Sequence, residues 1–366
     1  MTRILHLSWL PEPRRWPGIA AKLRQMAATA RLAGLPLTVG ACTDGEDIGS
    51  GVVSLPLAAG RLAGLRRAAR LAQVIAAVGP SATVLRWPGV LDPSLPSLIR
   101  RHGGRLISEH HADEAAELRL LGGPWLRLRA AAEVRLASRL IGRLAGAIGV
   151  TEEIRAGVAR RSGLQLSRVI TNGISVDSIT ATGFRRFDGS SLELVWSCGR
   201  FWPWQGLDRL VDGLARSDPG LPVTVHLLGE APKPPDSHGR VTYVLHGLVD
   251  GPAADAIFAR AHLALGTLAL NRKGLREACP LKVREYLARG LPFLTAHEDP
   301  DVPATAPWAC RLPDDETPLA IDEIVAFAER CRRLDPIELR AEADRRMGWR
   351  GKLEQLCAFA AEATRG

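Results

Sequence analysis

The chain has 366 residues, of which 46% are hydrophobic, with 36 glycines and 25 prolines. This length and composition predict a globular protein of two domains and exclude a disordered chain. The 48 lysines and arginines exceed the 39 acidic residues and give a formal charge of +9, which suits an anionic substrate, an anionic membrane face or nucleic acid. Nucleic acid is the weakest of the three, because the sequence has no helix-turn-helix, zinc-finger or aromatic RNA-binding signature.

Cysteine use and hydropathy indicate the compartment. Six cysteines are scattered without a Cys-x-x-Cys pair or a histidine spacing typical of zinc, so we expect a reduced protein. The first nine residues have the pattern of a buried strand rather than of a signal peptide. No apolar run approaches the ~18 residues that a membrane span needs. We therefore expect a cytoplasmic protein, either soluble or peripheral on the inner face of the membrane.

The first forty residues predict a βαβ unit. A short apolar strand over 3–7 leads into a loop rich in proline and tryptophan that ends at Gly18. Apolar residues then recur at helical spacing from Ile19 to Gly34, and 35–40 has the pattern of another strand. Such a unit predicts a parallel sheet.

A predicted strand over 105–111 ends in two histidines, His110 and His111. Strand ends in parallel sheets direct ligand-binding groups to the carboxyl edge of the sheet. We expect His111 to be the stronger functional candidate and His110 the second. The alternative is that both are structural histidines.

Residues 119–145 have a cationic, amphipathic pattern. Three arginines repeat every four residues, three leucines lie beside them, and Trp125 stands near the start; these are Arg135, Arg139, Arg143, Leu136, Leu140 and Leu144. The segment is either an interfacial membrane helix with its arginines on lipid phosphates or a core-packed helix with a solvated basic face. We favour the second interpretation.

The second half of the chain repeats the strand and helix pattern of the first. After a turn at Asn172, residues 173–191 are irregular and are the best linker candidate. We therefore predict a first domain over 1–172, a second over 192–345, and a final helical segment over 346–366.

The stretch 277–290 carries the strongest chemical signal. Pro280 suits the first position of a helix, which leaves the N–H groups of Leu281 and Lys282 without intrahelical partners. Those groups, the helix dipole and the Lys282 ammonium would form an anion site. Glu285 lies on the same side of the helix, and Glu277 precedes it. Two carboxylates flanking one cationic spot suit a nucleotide sugar. The simpler alternative is a surface helix in which Glu285 pairs with Arg284 or Arg289.

Two glutamates separated by seven residues, before a helix that ends at glycine, resemble the donor-site signature of retaining GT-B glycosyltransferases, specifically glycosyltransferase family four. Gly199-Arg200 with Gln205-Gly206 behind it is similar to the family's Gly-Arg and Lys-Gly element. The turn at 171–174 and the strand at 225–229 also resemble family elements. These four features occur in family order over roughly residues 170–300.

The resemblance implies an α/β fold of GT-B type, in which two Rossmann-like domains face a central cleft. The last helix would return to the first domain. It also implies that Glu277 binds hydroxyls of the donor sugar, that Glu285 binds the ribose, and that Arg200 meets the diphosphate. Gly18 would lie close to the donor phosphates, although a plain turn is the other interpretation.

The remaining donor-side candidates are Leu281, Gly199, Gln205 and Asn172. A histidine at the 105–111 strand end contacts the transferred sugar in the family, and this role falls on His111 or His110. Gln205 stands where the family has a lysine, and a neutral amide cannot replace an ammonium against a leaving diphosphate. We expect Lys282, or else Lys273, to supply the missing charge.

The implied reaction is transfer from a nucleoside-diphosphate sugar to a glycan or lipid-linked acceptor, with retention, in cell-surface polysaccharide synthesis. No cofactor and no metal are expected, because Arg and Lys would take the metal's place. An inverting relative would need a general base, for which Asp113 or His110 is available. The alternatives are a nucleotide-sugar epimerase on the same fold and a non-catalytic binding or scaffold subunit, which the unusual Gln205 invites.

Overall fold

The computed structural model describes residues 3–10, 12–43, 45–49, 51–56, 67–89, 94–216, 218–231 and 236–365. The chain divides into two compact units. The first comprises Met1–Asn172 together with Trp349–Gly366, and the second comprises Gly173–Gly348.

The first unit is built on a parallel sheet with helices between its strands. Its described strands are ordered β3-β2-β1-β4-β5-β6-β7, and every pairing between them is parallel. In chain order the elements are β1 (Ile4–Trp9), α1 (Pro17–Leu32), β2 (Leu37–Thr43), β3 (Val53–Pro56), α2 (Arg67–Val78), β4 (Ala82–Arg86), α3 (Leu95–His102), β5 (Leu106–His110), α4 (Glu114–Leu121), α5 (Pro124–Ala132), α6 (Ser138–Ile141), β6 (Gly146–Gly149), α7 (Glu152–Ser162) and β7 (Ser167–Val169).

Helix α1 forms where the apolar spacing predicts it. Pro17 occupies the first helical turn, where its missing N–H costs nothing. Leu23, Met26 and Ala30 point into a buried cluster with Val39 of β2. Lys22, in the second turn of α1, lies 3.4 Å from Glu109 near the carboxyl end of β5.

The cationic segment 119–145 is not one helix. Helix α4 ends at Leu121 because Gly122 and Gly123 adopt φ values of 77° and 87°, which side chains rarely allow. Pro124 then begins α5, and a π-helical turn over Glu133–Ala137 joins α5 to α6. The continuous helix that the sequence suggested is therefore three short helices and a π-helical turn.

The second unit repeats the same architecture. Its described strands are ordered β10-β9-β8-β11-β12-β13, and all pairings are parallel. The elements are β8 (Leu192–Arg200), α8 (Leu207–Arg216), β9 (Val223–Glu230), β10 (Val241–Gly247), α9 (Gly251–Arg260), β11 (Leu263–Leu265), α10 (Leu281–Arg289), β12 (Phe293–Thr295), β13 (Ala309–Arg311), α11 (Ile321–Cys331) and α12 (Pro336–Met347).

The segment 173–191, which the sequence suggested as a linker, lies within the second unit. The Ile174 N–H donates to the Met347 carbonyl at 2.8 Å and the Gly183 N–H to the Arg289 carbonyl at 2.8 Å. Ile174 and Val176 are buried in the core of this unit. Because these backbone and apolar contacts hold the segment, the boundary falls directly after Asn172.

The last helix, α13 (Trp349–Ala363), belongs to the first unit. Trp349 and Leu353 pack in the cluster beneath α1, and Phe359 packs against Ile4 and Ile107 of the central strands. None of the helices in the described part of the chain is both long enough and apolar enough to cross a bilayer.

Candidate functional site

The N-terminus of α10 has no side-chain cap. The helix begins at Leu281, one residue later than the sequence predicts. Pro280 is its N-cap residue, with φ −76° and ψ 139°. A proline side chain cannot accept hydrogen bonds from the first helical N–H groups. The N–H groups of Leu281 and Lys282 therefore depend on a partner outside the cap, as an anion site requires.

The ammonium of Lys282 lies next to Gln205. Its Nζ is 2.6 Å from Gln205 Oε1 and 3.1 Å from Cys198 Sγ, and it stands 5.8 Å from the ring centre of Trp196. Thr267 Oγ1 also donates to Gln205 Oε1, at 3.4 Å. The positive charge absent from position 205 is thus present within hydrogen-bond distance of it, contributed by α10.

Burial raises the pKa of the Cys198 thiol, and Lys282 only partly offsets this effect. The thiol therefore stays protonated near neutral pH, so no thiolate is present to neutralise the nearby ammonium. The ammonium remains available to an anionic ligand.

Two cations and two indoles pack together at the end of β8 and in the turn over Leu270–Lys273. The exposed Arg200 guanidinium lies 4.4 Å from the ring centre of Trp202, which stacks on Trp204 at 5.5 Å and an interplanar angle of 18°. Lys273 Nζ lies 4.6 Å from the ring centre of Trp204. Lys273 is therefore held by an indole, whereas Lys282 is the lysine beside Gln205.

Gly206 allows the loop after β8 to pack closely against the residues that follow β11. Its φ is +81°, and a Cβ on it would meet side-chain and backbone atoms of Leu268 and Ala269 at 3.0–3.1 Å. The Leu268 N–H donates to the Gln205 carbonyl at 2.9 Å. Because glycine allows this contact, Gln205 is held at the carboxyl end of the sheet. Gly199, the other glycine of the element, is exposed at the end of β8.

Glu285 forms an ion pair with the last turn of its own helix. Its Oε1 accepts from Arg289 Nε at 2.9 Å and lies 2.8 Å from Nη2, while Arg289 Nη1 binds Asp255 at 2.6 Å. This is the pairing that the sequence analysis gave as the simpler alternative, with Arg289 rather than Arg284. Among the described residues, Glu285 Oε2 has no hydrogen-bond partner, so one carboxylate oxygen is left for a ligand hydroxyl.

Glu277 is held at the end of β12 by backbone pairing. It forms a parallel bridge with Glu298, and the Ala278 N–H donates to the Glu298 carbonyl at 2.9 Å. Arg276, His297 and Glu298 help to line an open cavity of about 430 Å³. Glu277 therefore stands beyond the carboxyl edge of the second sheet, paired with Glu298, and it is not itself among the residues that line this cavity.

An Asp-x-Asp pair that the sequence analysis overlooked lies nearby, at Asp299 and Asp301. With Cys279, these residues bring three potential metal ligands within 4.8 Å of one another. Arg284 Nη2 lies 2.8 Å from Asp299 Oδ1 and 2.7 Å from Asp301 Oδ2, and its side chain is fully buried. The guanidinium balances both carboxylates, so the donor set does not fit a divalent ion without displacing Arg284.

The two histidines at the end of β5 have different surroundings. His110 is 1% exposed, its Nδ1 is 3.1 Å from Glu114 Oε1, and its ring faces Trp87 at 5.7 Å. The side chain of His111 is 16% exposed. His111 is therefore the histidine that a ligand can reach, and the contacts of His110 favour a structural role.

A buried cluster around His111 was not predicted from the sequence. Lys22 Nζ lies 3.0 Å from Asn172 Oδ1, 3.2 Å from His111 Nε2 and 3.4 Å from Glu109 Oε1. Glu109 Oε2 lies 2.9 Å from His6 Nε2 and 3.1 Å from His111 Nε2. Asn172, a donor-side candidate, is thus part of this cluster in the first unit.

One signal in the sequence could have found the cluster. Lys22 falls three residues after Ile19 and four before Met26, on the apolar face of α1. A lysine on an apolar helix face must be paired when it is buried.

The cluster shifts two pKa values. Burial acts to raise the pKa of Glu109, but the Lys22 ammonium beside it holds that pKa well below its usual range. Burial, and then the nearby Lys22 charge, lower the pKa of His111 to about 3, against the raising effect of Glu109. Glu109 is therefore ionised and His111 neutral near pH 7.

Gly18 lies in the first turn of α1 and is exposed. It is not among the described glycines with left-handed φ. The structure therefore places it at a helix start rather than in a tight turn.

The fold is that of solved glycosyltransferases. A glycosyltransferase from Rickettsia africae is similar with a TM-score of 0.65 and 9% identity, covering 100% of both chains. Anabaena HepE in complex with UDP and glucose has a TM-score of 0.64 and 17% identity, covering 99% of this chain and 100% of that one. A Listeria monocytogenes protein described as a UDP-N-acetylglucosamine 2-epimerase has a TM-score of 0.50 and 12% identity, covering 99% and 97%.

At these identities the similarity concerns the fold. The predicted GT-B architecture of two Rossmann-like domains is confirmed, with the two parallel sheets described above. No protein-family model matches the chain, and no curated protein matches it.

Proposed function

We propose that this chain is a retaining glycosyltransferase that uses a nucleoside-diphosphate sugar as donor. The observation that carries the proposal is the position of the Lys282 ammonium, 2.6 Å from Gln205 Oε1 at the uncapped N-terminus of α10. In the sequence Glu277 and Glu285 stand on either side of Lys282, which suits a ligand with phosphates in its middle and hydroxyls at both ends. Site and fold agree, since ligands of parallel sheets bind at the carboxyl ends of the strands.

The donor is held by groups of complementary chemistry. The N–H groups of Leu281 and Lys282, the Lys282 ammonium and the Arg200 guanidinium bind the diphosphate. Glu285 Oε2 accepts from ribose hydroxyls and Glu277 from hydroxyls of the donor sugar. In the first unit, His111 bonds a sugar hydroxyl.

The transfer step needs no protein nucleophile. The bond between the anomeric carbon and the phosphate oxygen breaks, and its electron pair leaves with the diphosphate. The acceptor hydroxyl oxygen bonds the anomeric carbon on the same face, and its proton passes to the departing phosphate. Lys282 and Arg200 lower the barrier because they stabilise the charge that grows on the leaving group. In this proposal the chain's cations replace a divalent ion.

The acceptor is a glycan or lipid-linked precursor of a cell-surface polysaccharide. Four of the large apolar side chains that are exposed in the first unit lie in or just after α4, α5 and the π-helical turn. They are Leu121, Trp125, Leu128 and Leu136. With the exposed Arg127, Arg135, Arg139 and Arg143, they form a surface that suits the anionic inner face of a membrane. The enzyme would then work in the cytoplasm, peripheral to that membrane.

Product analysis tests this function. The purified protein is incubated with UDP-glucose, with and without a lipid extract as acceptor; UDP is the first nucleotide to test because the Anabaena fold neighbour was crystallised with it. GDP-sugars follow if UDP-sugars are inert. A transferase releases nucleoside diphosphate in an acceptor-dependent manner and forms a product with the donor's anomeric configuration. A change in the sugar without an acceptor would indicate an epimerase, and binding without turnover would indicate a scaffold.

A further inference from the structure

Arg200 is held differently from a second arginine that contacts the loop after β8. Arg272 binds the carboxylates of Asp208 and Glu316, at 2.7 and 2.6 Å. In the part of the chain that the structure describes, the Arg200 guanidinium has neither a hydrogen bond nor an ion pair. Its partner is the indole of Trp202, whose ring centre lies 4.4 Å away. Arg200 is therefore held by an uncharged group that accepts none of its N–H donors.

We propose that Trp202 is a positioning residue, which holds the Arg200 guanidinium in place for the phosphates of a donor substrate without neutralising its charge. Trp204, which stacks on Trp202, keeps that indole in place. The placement of Arg200 is a property of the chain alone. The identity of the anion as a nucleoside diphosphate rests on the proposed function.

An indole suits this task better than a carboxylate does. The face of the ring attracts a guanidinium electrostatically. A carboxylate would instead accept from two of the five N–H groups and offset the positive charge. An arginine that is already ordered also loses less side-chain entropy when a ligand binds. Trp202 therefore leaves both the charge and the donors of Arg200 to an anionic ligand.

The turn that carries the two indoles is itself fixed. Arg272 Nη1 donates to the Pro203 carbonyl at 2.6 Å, and the Ala269 N–H donates to the Trp204 carbonyl at 3.3 Å. The rings of Trp202 and Trp204 lie 18° from parallel with their centres 5.5 Å apart. Because the backbone of the turn and the stack both restrain Trp202, its indole is a fixed surface for Arg200.

A bulge in β8 comes directly before Arg200. Between Ser197 and Arg200 the register with β9 shifts, so that three steps along β8 match two along β9. Gly229 of β9 makes room for this, since its φ is +131° and a Cβ on it would lie 1.6 Å from the carbonyl oxygen of Cys198. Bulges redirect the side chains beside them. The backbone and Trp202 thus act together in placing the guanidinium.

Nuclear magnetic resonance of the arginine Nε–H groups of the full chain tests the placement without any ligand. The Arg200→Lys variant identifies the Arg200 signal. We expect the Arg200 Nε–H to be more ordered on the picosecond to nanosecond timescale than that of Arg31, an exposed arginine of α1. Equal order for the two groups would overturn the proposal.

Two variants test whether the indole is the cause of this order. In Trp202→Leu the order of the Arg200 Nε–H should fall to that of Arg31. In Trp202→Phe, which keeps an aromatic face, most of the order should remain. An ordered Arg200 in Trp202→Leu would overturn the proposal. Should Trp202→Leu fail to fold, the comparison within the wild type still decides.

Nucleotide binding gives a second readout, which depends on the proposed function. UDP and GDP are titrated by chemical-shift changes, so that weak binding remains measurable. Trp202→Leu should weaken binding of the preferred nucleotide by about two- to fivefold, and Trp202→Phe should weaken it less. In the Arg200→Ala background the same Trp202→Leu change should have no further effect.

The double variant separates positioning from other roles of the indole. An equal loss from Trp202→Leu in both backgrounds would show that the indole contacts the nucleotide or supports the fold, and would overturn the proposal. If the wild type binds neither nucleotide while Trp202 orders Arg200 as expected, the proposed function fails and the positioning of Arg200 stands.

Discussion

Lys282 is the residue on which donor binding depends in this account. Its ammonium lies beside Gln205, so one positive charge serves a position that holds a neutral amide. Charged hydrogen bonds typically contribute about 1.5–3 kcal/mol. We expect Lys282→Gln to weaken binding of a nucleoside diphosphate by roughly ten- to a hundredfold, measured by calorimetry.

A matched variant tests whether the charge or the side chain matters. The double variant Lys282→Gln with Gln205→Lys exchanges the two side chains of this contact, so position 205 carries the ammonium instead of α10. We expect this double variant to recover most of the lost affinity. If it binds as weakly as Lys282→Gln alone, the site depends on the α10 side chain itself and the charge argument is wrong.

Glu109 makes stability depend on pH. Its folded pKa lies well below the ordinary value of 4.5, which we take for the unfolded chain. The unfolded state therefore binds the proton more readily. The stabilisation is fully present above about pH 4.5 and is lost as the pH falls toward the folded pKa.

Denaturant unfolding at several pH values measures this effect. The free energy of unfolding of the wild type should fall more steeply below about pH 4.5 than that of Glu109→Gln, which has no proton to gain at this position. Equal slopes for the two proteins would show that the Glu109 carboxylate is not paired as described.

For the segment α4 to α6 the sequence allowed two interpretations and favoured a core-packed helix with a solvated basic face. The apolar side chains of a core-packed helix would be covered, but Trp125 and Leu128 are 64% and 61% exposed. We expect the protein to sediment with phosphatidylglycerol vesicles and not with phosphatidylcholine vesicles, with binding that weakens as salt is added.

Two variants separate the apolar and the charged contributions to vesicle binding. Trp125→Ala with Leu128→Ala should reduce binding at all salt concentrations, because it removes apolar area. Arg135→Gln with Arg139→Gln should reduce binding mainly at low salt. Equal sedimentation of the wild type with both lipids would contradict a membrane role.

The elements differ in how far the sequence predicted them. Helices α1 and α10 were predicted because apolar spacing, proline and glycine signals are local. The break at Gly122 was also readable, since a Gly-Gly-Pro run stops one helix and starts another. The π-helical turn over 133–137 has no such signal. The cluster of Lys22, Glu109 and Asn172 joins residues 87 and 150 positions apart, which local spacing cannot show.

For the candidate site too, the sequence predicted contacts within one motif better than contacts between distant positions. Lys282 and Glu277 could be predicted as candidates because they stand in one motif. The contact between Lys282 and Gln205 joins positions 77 apart. It was expected because position 205 holds a neutral amide where the resembling family has a lysine, so another residue had to supply the positive charge. The pairing of Glu285 with Arg289 was foreseen as an alternative because the two lie four residues apart on one helix face.

The chain returns to its first unit after completing its second. Helix α13 covers the central strands, and Phe359 is fully buried against Ile4 and Ile107. Truncating such a side chain leaves a cavity and typically costs about 3–5 kcal/mol. We expect Phe359→Ala to unfold at lower denaturant than the wild type, with the loss in the transition of the first unit.

A surface variant on the same helix provides the control. Arg350 lies at the exposed start of α13, and Arg350→Ala should leave both unfolding transitions unchanged. If Phe359→Ala is as stable as this control, α13 does not complete the core of the first unit.

Calorimetric titration with UDP and GDP and their sugars, of the wild type beside Arg200→Ala and Glu285→Ala, tests the donor site. We expect one nucleoside diphosphate to bind the wild type selectively. Arg200→Ala should lose most of this affinity, and Glu285→Ala should bind any nucleotide with free ribose hydroxyls more weakly. Failure of the wild type to bind any of these nucleotides would contradict the donor site and, with it, the proposed transferase.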